Sequence, residues 1–119
     1  MVNRLELEQF LVQLKEKMKV FGIVFRPREK NLDSLAELDI RAAERETYIM
    51  QLSIEQYYAG PKKDVVTPER PDYYEFGLTI NKREVYIKLS LGLKNKPVDC
   101  MSFHIAERPI HYPLNKQEL

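Results

Sequence analysis

Tyr86 and Lys88 stand two residues apart in "EVYIKLSL", and Ser102 and His104 stand two apart in "VDCMSFHI". On extended backbone that spacing puts each pair on one face. The segments are joined through "GLKNKP", whose Gly, Asn and Pro suit a turn. A hairpin then brings Tyr86 or Lys88 within one or two strand spacings of His104. Imidazole is the side chain best suited to move protons near neutral pH. A lysine beside it can hold a phosphate, and a tyrosine can stack on a base or donate a hydrogen bond. Together these groups suit metal-free RNA cleavage, in which a ribose 2′-OH attacks its own phosphate. That chemistry needs a base, an acid and a cation to steady the charge on phosphorus. The same residue types also furnish the wet face of an ordinary antiparallel sheet, so on these residues alone both readings stand.

The chain leaves this segment through Glu107, Arg108 and His111. His104, Glu107 and His111 would share one side of a helix, but Pro109 interrupts the run, and no HExxH pattern is present. No metal site is expected. Cys100 is the only cysteine, which excludes an intrachain disulfide and a cysteine-based zinc site. Its place near the start of a strand suits a small buried apolar residue better than a nucleophile. The pairs Tyr57-Tyr58 and Tyr73-Tyr74 can each offer one ring to a base and one to the core. A Gly-rich phosphate loop and a GxSxG elbow are both lacking.

Positioning these groups requires a framework. With 119 residues and a net charge of +1, the composition suits a single globular domain spanning 1–119. It lacks the basic excess of a protein that grips a long duplex, so direct DNA binding is not expected. No run of about 18 apolar residues occurs, and the acidic, amphipathic start is unlike a secretion signal. A reducing cytoplasm fits. Apolar residues from Leu5 to Val20 recur at helical spacing, predicting a helix over 5–19. Val20, Ile23, Val24 and Phe25 predict a short strand stopped by Pro27. Leu32, Leu35 and Leu38 predict a short helical turn, and Ile40 to Leu52 a longer helix. Ser53 and Gln56, at capping-box spacing, predict a third helix ended by Gly60-Pro61. Residues 61–72, with three prolines, form a loop. From Tyr73 the period becomes two. It predicts three antiparallel strands with Tyr74, Phe76, Leu78 and Ile80, then Val85, Ile87, Leu89 and Leu91, then Met101, Phe103 and Ile105 facing inward. Cys100, Ser102 and His104 are then sent outward. The fold class is α+β: an antiparallel β-sheet with N-terminal helices packed on one face.

The order of these pieces resembles the MqsR family of bacterial toxins, ribonucleases of type II toxin–antitoxin systems with a RelE-like fold. The resemblance runs from about Asn31 to Pro113, through "LDSLAELDI", "LSIEQYYAGP", the Pro-rich loop, "YYEFG", "EVYIKL" and "CMSFH". It implies a RelE-like fold, an mRNA endoribonuclease acting without a metal or other cofactor, and an antitoxin protein as partner. The family's strand tyrosine falls on Tyr86, and its last-strand lysine falls on His104. A second family lysine falls on Ala59, where Lys62 or Lys63 can supply charge from nearby. The candidate catalytic set is therefore His104 as acid/base, Tyr86 and Lys88, with Glu107 tuning His104 or serving as a second acid/base. Arg108, Lys62, Lys63, Tyr73 and His111 are the candidate RNA-binding residues. The alternative is a non-catalytic interaction module of the same fold, using its sheet face or edge to bind another chain.

Overall fold

The computed structural model describes residues 2–115. Helix α1 (Arg4–Phe21) is started by Asn3, whose side chain accepts from the Glu6 N–H, and is closed by Gly22 at φ 78°. Its stripe of Leu7, Phe10, Leu11, Leu14 and Met18 is buried against a sheet. Strand β1 (Ile23–Phe25) follows, then α2 (Glu29–Leu38), α3 (Glu44–Met50) and a 3₁₀ turn over Ile54–Gln56. Four strands complete the chain: β2 (Tyr57–Lys62), β3 (Tyr73–Ile80), β4 (Arg83–Ser90) and β5 (Val98–Ile105). The sheet order is β1-β5-β4-β3-β2. No helix among the described residues is long and apolar enough to cross a membrane.

The α+β class holds, with three corrections to the expected architecture. First, the sheet is mixed rather than antiparallel. Strand β1 pairs parallel with β5, Ile23 opposite Val98 and Phe25 opposite Cys100, while the other pairings are antiparallel. A parallel partner needs a long crossover, and the helices and strands between β1 and β5 provide it.

Second, no third helix starts at Ser53. The capping box forms as expected, with Ser53 and Gln56 satisfying each other's backbone N–H groups. It nucleates only the 3₁₀ turn, after which Tyr57–Lys62 extends as strand β2. β2 lies at the sheet's rim, where Pro61 withholds no hydrogen bond from an inner ladder. Tyr57 and Tyr74 turn inward to the core ring cluster with Phe10 and Phe76, whereas Tyr58 and Tyr73 line clefts on the other face.

Third, the inward set on β5 slips by one residue at its start. Register shifts between Lys88, opposite Ser102, and Leu89, opposite Cys100. Met101 is the extra residue of this bulge. Cys100 is thereby turned into the core, fully buried, and Met101 lies under a cleft on the other face. Burial raises the Cys100 thiol well above its ordinary range, so it stays protonated.

The helices also divide their work. α1 supplies the main apolar cover of the inner face, and the Arg45 guanidinium of α3 lies 4.0 Å over the Phe25 ring. α2 instead seals the edge of β5 beyond the reach of the short β1. Asn31 accepts from the Phe103 N–H at 3.0 Å and donates to the Met101 carbonyl, while the Ser34 hydroxyl accepts from the Ile105 N–H at 2.9 Å. Side chains thus replace a missing strand, and that edge is closed to pairing.

Candidate active site

The outer face of β3, β4 and β5 floors a cleft of about 400 Å³. Two cross-strand rows fix its floor. In one, Gly77, Tyr86 and His104 are aligned; in the other, Glu75, Lys88 and Ser102. The expected hairpin therefore brings Tyr86 directly opposite His104, their ring centroids 5.3 Å apart. Lys88 sits one row along, opposite Ser102.

His104 is only 7% exposed. Its Nδ1 lies 2.9 Å from the Ile105 carbonyl oxygen. A carbonyl can only accept, so Nδ1 carries the hydrogen, which in the neutral form of the ring leaves the lone pair on Nε2. That nitrogen is the one free to take a proton from a substrate hydroxyl.

Tyr86 donates its hydroxyl to Glu75 Oε1 at 2.8 Å, and Lys62 Nζ reaches Glu75 Oε2 at 3.1 Å. Burial, with help from the Glu75 hydrogen bond and charge, raises the Tyr86 phenol far above the ordinary tyrosine range. The phenol is thus a locked neutral hydroxyl and a poor proton donor to a substrate. Its part is to orient. The hydrogen bond to Glu75 conversely holds the Lys62 ammonium charged, raising it above the usual lysine range.

Lys88 is held differently. Its ammonium stands 4.1 Å over the Tyr73 ring and has no carboxylate within ion-pair distance among the described residues. Partial burial lowers it below the ordinary lysine value. A depressed lysine releases a proton more readily, which suits a general acid as well as a phosphate cradle.

The tail after β5 walls one end of the cleft. It is anchored by the Glu84 carboxylate, which accepts from the Ile110 N–H at 2.8 Å and the Tyr112 hydroxyl at 2.9 Å. Ile110 and Tyr112 lie so close over Gly77 that a Cβ there would meet each at 2.6 Å. Gly77 is the space through which the tail crosses the sheet.

Of the residues singled out from sequence, His104, Tyr86, Lys88, Glu107, Arg108 and Lys62 all line this cleft. Glu107 is exposed on the rim and joined to Lys30 at 2.8 Å, which lowers its carboxyl below the usual range. No hydrogen bond links it to His104 among the described residues, so its effect on the imidazole acts only through space. Lys63 and Tyr73 line a smaller neighbouring cleft, and His111 lies exposed on the tail outside both. Tyr58, the ring of its pair that does not enter the core, lines the cleft as well, and residues the sequence reading passed over complete the site: Glu75 at its centre, and Arg28, Lys30 and Asn31 on its walls. Glu75 alternates outward on β3, so its face was readable, but its burial under Tyr86 and Lys62 was not. Nothing local flags Arg28, which the turn into α2 carries to the wall.

The cleft is positive on balance, with Arg28, Lys30, Lys62, Lys88 and Arg108 facing only Glu75 and Glu107. Once the Lys62–Glu75 and Lys30–Glu107 pairs are formed, Arg28, Lys88 and Arg108 remain without a carboxylate partner among the described residues. Such an arrangement recruits anions with distributed charge. Among the described residues no group of three His, Cys, Asp or Glu side chains comes together to hold a metal ion. Comparison of the chain with family models, curated proteins and solved structures finds no match.

Proposed function

We propose that this protein is a metal-independent endoribonuclease, the toxin of a type II toxin–antitoxin pair with a RelE-like, MqsR-type fold. The observation that carries the reading is the alignment of the buried His104 with Tyr86 on the floor of a cationic cleft, with Nε2 left open. His104 Nε2 takes the proton of a ribose 2′-OH, and the O2′–P bond forms. Lys88, Arg28 and Arg108 hold the phosphate oxygens as charge builds on them. The P–O5′ bond breaks, and the departing O5′ takes a proton from the Lys88 ammonium. The products are a 2′,3′-cyclic phosphate and a 5′-hydroxyl. Tyr86 and Glu75 keep the floor rigid, and Tyr58 gives a half-open ring on which a base can stack. The substrate is mRNA in the cytoplasm, and an antitoxin protein covers the cleft to suppress it.

The alternative, a module that only binds another chain, has one observation in its favour. Among the described residues, the outer edge of β2 has no neighbouring strand. Its bulged register and Pro61 make it a poor template for strand addition.

The test is to incubate the purified protein with a mixed-sequence RNA in the presence of a chelator. Fragments ending in 2′,3′-cyclic phosphate support the nuclease; intact RNA at high enzyme concentration rejects it.

A further inference from the structure

We infer that the cleft takes RNA in one fixed direction: the nucleotide supplying the 2′-OH lies beside His104, and the nucleotide that departs lies beyond Lys88, in a second compartment whose terminal cation is Lys63. The inference rests on the ribonuclease reading above and adds to it a strand polarity and a downstream phosphate site.

Beside the main cleft is a second one of about 200 Å³. The two share Arg28 and Lys88, while His104 and Tyr86 belong only to the first and Tyr73, Met101 and Lys63 only to the second. They are consecutive along the strands. Moving along β4 from Tyr86 past Lys88 to Ser90, the partners on β5 run from His104 past Ser102 to Asp99, and Tyr73 of β3 stands opposite Ser90. Lys88 is the post between the compartments, steadied over the Tyr73 ring.

Displacement at phosphorus is in line, so the attacking and leaving oxygens occupy opposite sides of the phosphate. Attack begins at the His104 end. The leaving O5′ must then point past Lys88, which sends its nucleoside into the second compartment. Met101, buried but turned toward this cleft by the β5 bulge, and the Tyr73 edge provide its apolar floor. The phosphate that follows this nucleoside next meets Lys63. Lys63 is exposed and has no carboxylate partner among the described residues. Asp64, which also lines this compartment, is turned into its own loop, accepting from the Val66 and Thr67 N–H groups at 3.1 and 3.0 Å. Arg26 is engaged by Asp99. Lys63 is therefore the cation most open to a downstream phosphate.

Three minimal substrates test this: a dinucleoside monophosphate, the same molecule with a 3′-terminal phosphate, and the same molecule with a 5′-terminal phosphate. In the wild type the 3′-phosphate should raise kcat/KM by about three- to tenfold, the range of an ordinary hydrogen bond, because Lys63 is exposed and its charge is screened. Lys63→Ala should bring that ratio to about one, and Lys63→Arg should restore it. The ratio for the 5′-phosphate should be the same in all three proteins. The inference is overturned if Lys63→Ala erases a 5′-phosphate effect instead, or if the 3′-phosphate confers nothing on the wild type. Repeating the series as binding measurements, with the attacking 2′-OH replaced by hydrogen, separates the two claims. A wild type that cuts nothing fails as a nuclease, whereas equal affinities across the three deoxy ligands reject the polarity.

Discussion

The imidazole of His104 stands across the β4–β5 pair from the phenol of Tyr86, ring centroids 5.3 Å apart and planes inclined at 40°. Each ring directs its polar hydrogen away from the other, His104 toward the Ile105 carbonyl and Tyr86 toward Glu75. The pair is thus a contact of ring faces and edges, and it leaves Nε2 available to a third molecule.

Tyr86→Phe removes the hydroxyl while keeping that ring contact. It leaves Glu75, 7% exposed, with one fewer donor. A buried acceptor deprived of its partner costs about 1–3 kcal/mol. Denaturant unfolding should register that loss, and the cleavage rate should fall about tenfold as Glu75 and Lys62 shift. Replacing Glu75 as well, in Tyr86→Phe/Glu75→Leu, should recover part of the stability but none of the activity. Full additivity of the two stability losses would argue against the coupling.

Gly77→Ala should displace the tail. The new Cβ would fall 2.6 Å from both Ile110 Cδ1 and Tyr112 Oη. Overpacking of this kind costs about 1–3 kcal/mol. Faster proteolysis within 106–115 is the expected signature, and shortening the obstacle with Ile110→Ala should relieve part of it. Unchanged proteolysis would mean that the tail does not need this gap.

The Lys88 ammonium is lowered from the ordinary 10.5 by burial, which makes stability depend on pH with a definite sign. Where the unfolded chain binds more protons than the folded one, stability rises with pH. Lys88 satisfies that condition between its lowered folded value and 10.5. Its burial penalty is present at neutral pH and disappears as pH climbs through that window. Urea melts of wild type and Lys88→Met from pH 7 upward should show the wild type gaining on the variant. A constant difference would show that Lys88 is not desolvated.

The framework was largely legible in the sequence because its signals are local. α1 has an unbroken apolar stripe, and β3, β4 and the second half of β5 alternate, so counting twos along a hairpin put Tyr86, Lys88, Ser102 and His104 on one face, while the register that sets Tyr86 opposite His104 came from the structure. The errors arose where a non-local partner decided the outcome. Tyr57–Lys62 follows a sound capping box and reads as helix, yet β3 recruits it as a strand. One bulged residue at Met101 inverted Cys100 and opened the floor of the second compartment. Asn31 and Ser34 look like ordinary helix residues, and only the vacant edge of β5 gives them their work. Glu75 escaped notice for the same reason: its two partners come from β2 and β4, 13 and 11 residues away.

The most direct test of the proposed chemistry is single-turnover cleavage of one RNA oligonucleotide by wild type and by His104→Ala, with the ends of the products identified. Loss of a positioned general base lowers rates by about 10²–10⁴-fold. The wild type should yield 2′,3′-cyclic phosphate and 5′-hydroxyl ends, and His104→Ala, folded as judged by its melt, should be slower by at least about a hundredfold. Cleavage by His104→Ala at the wild-type rate, or products bearing 5′-phosphates, would contradict it.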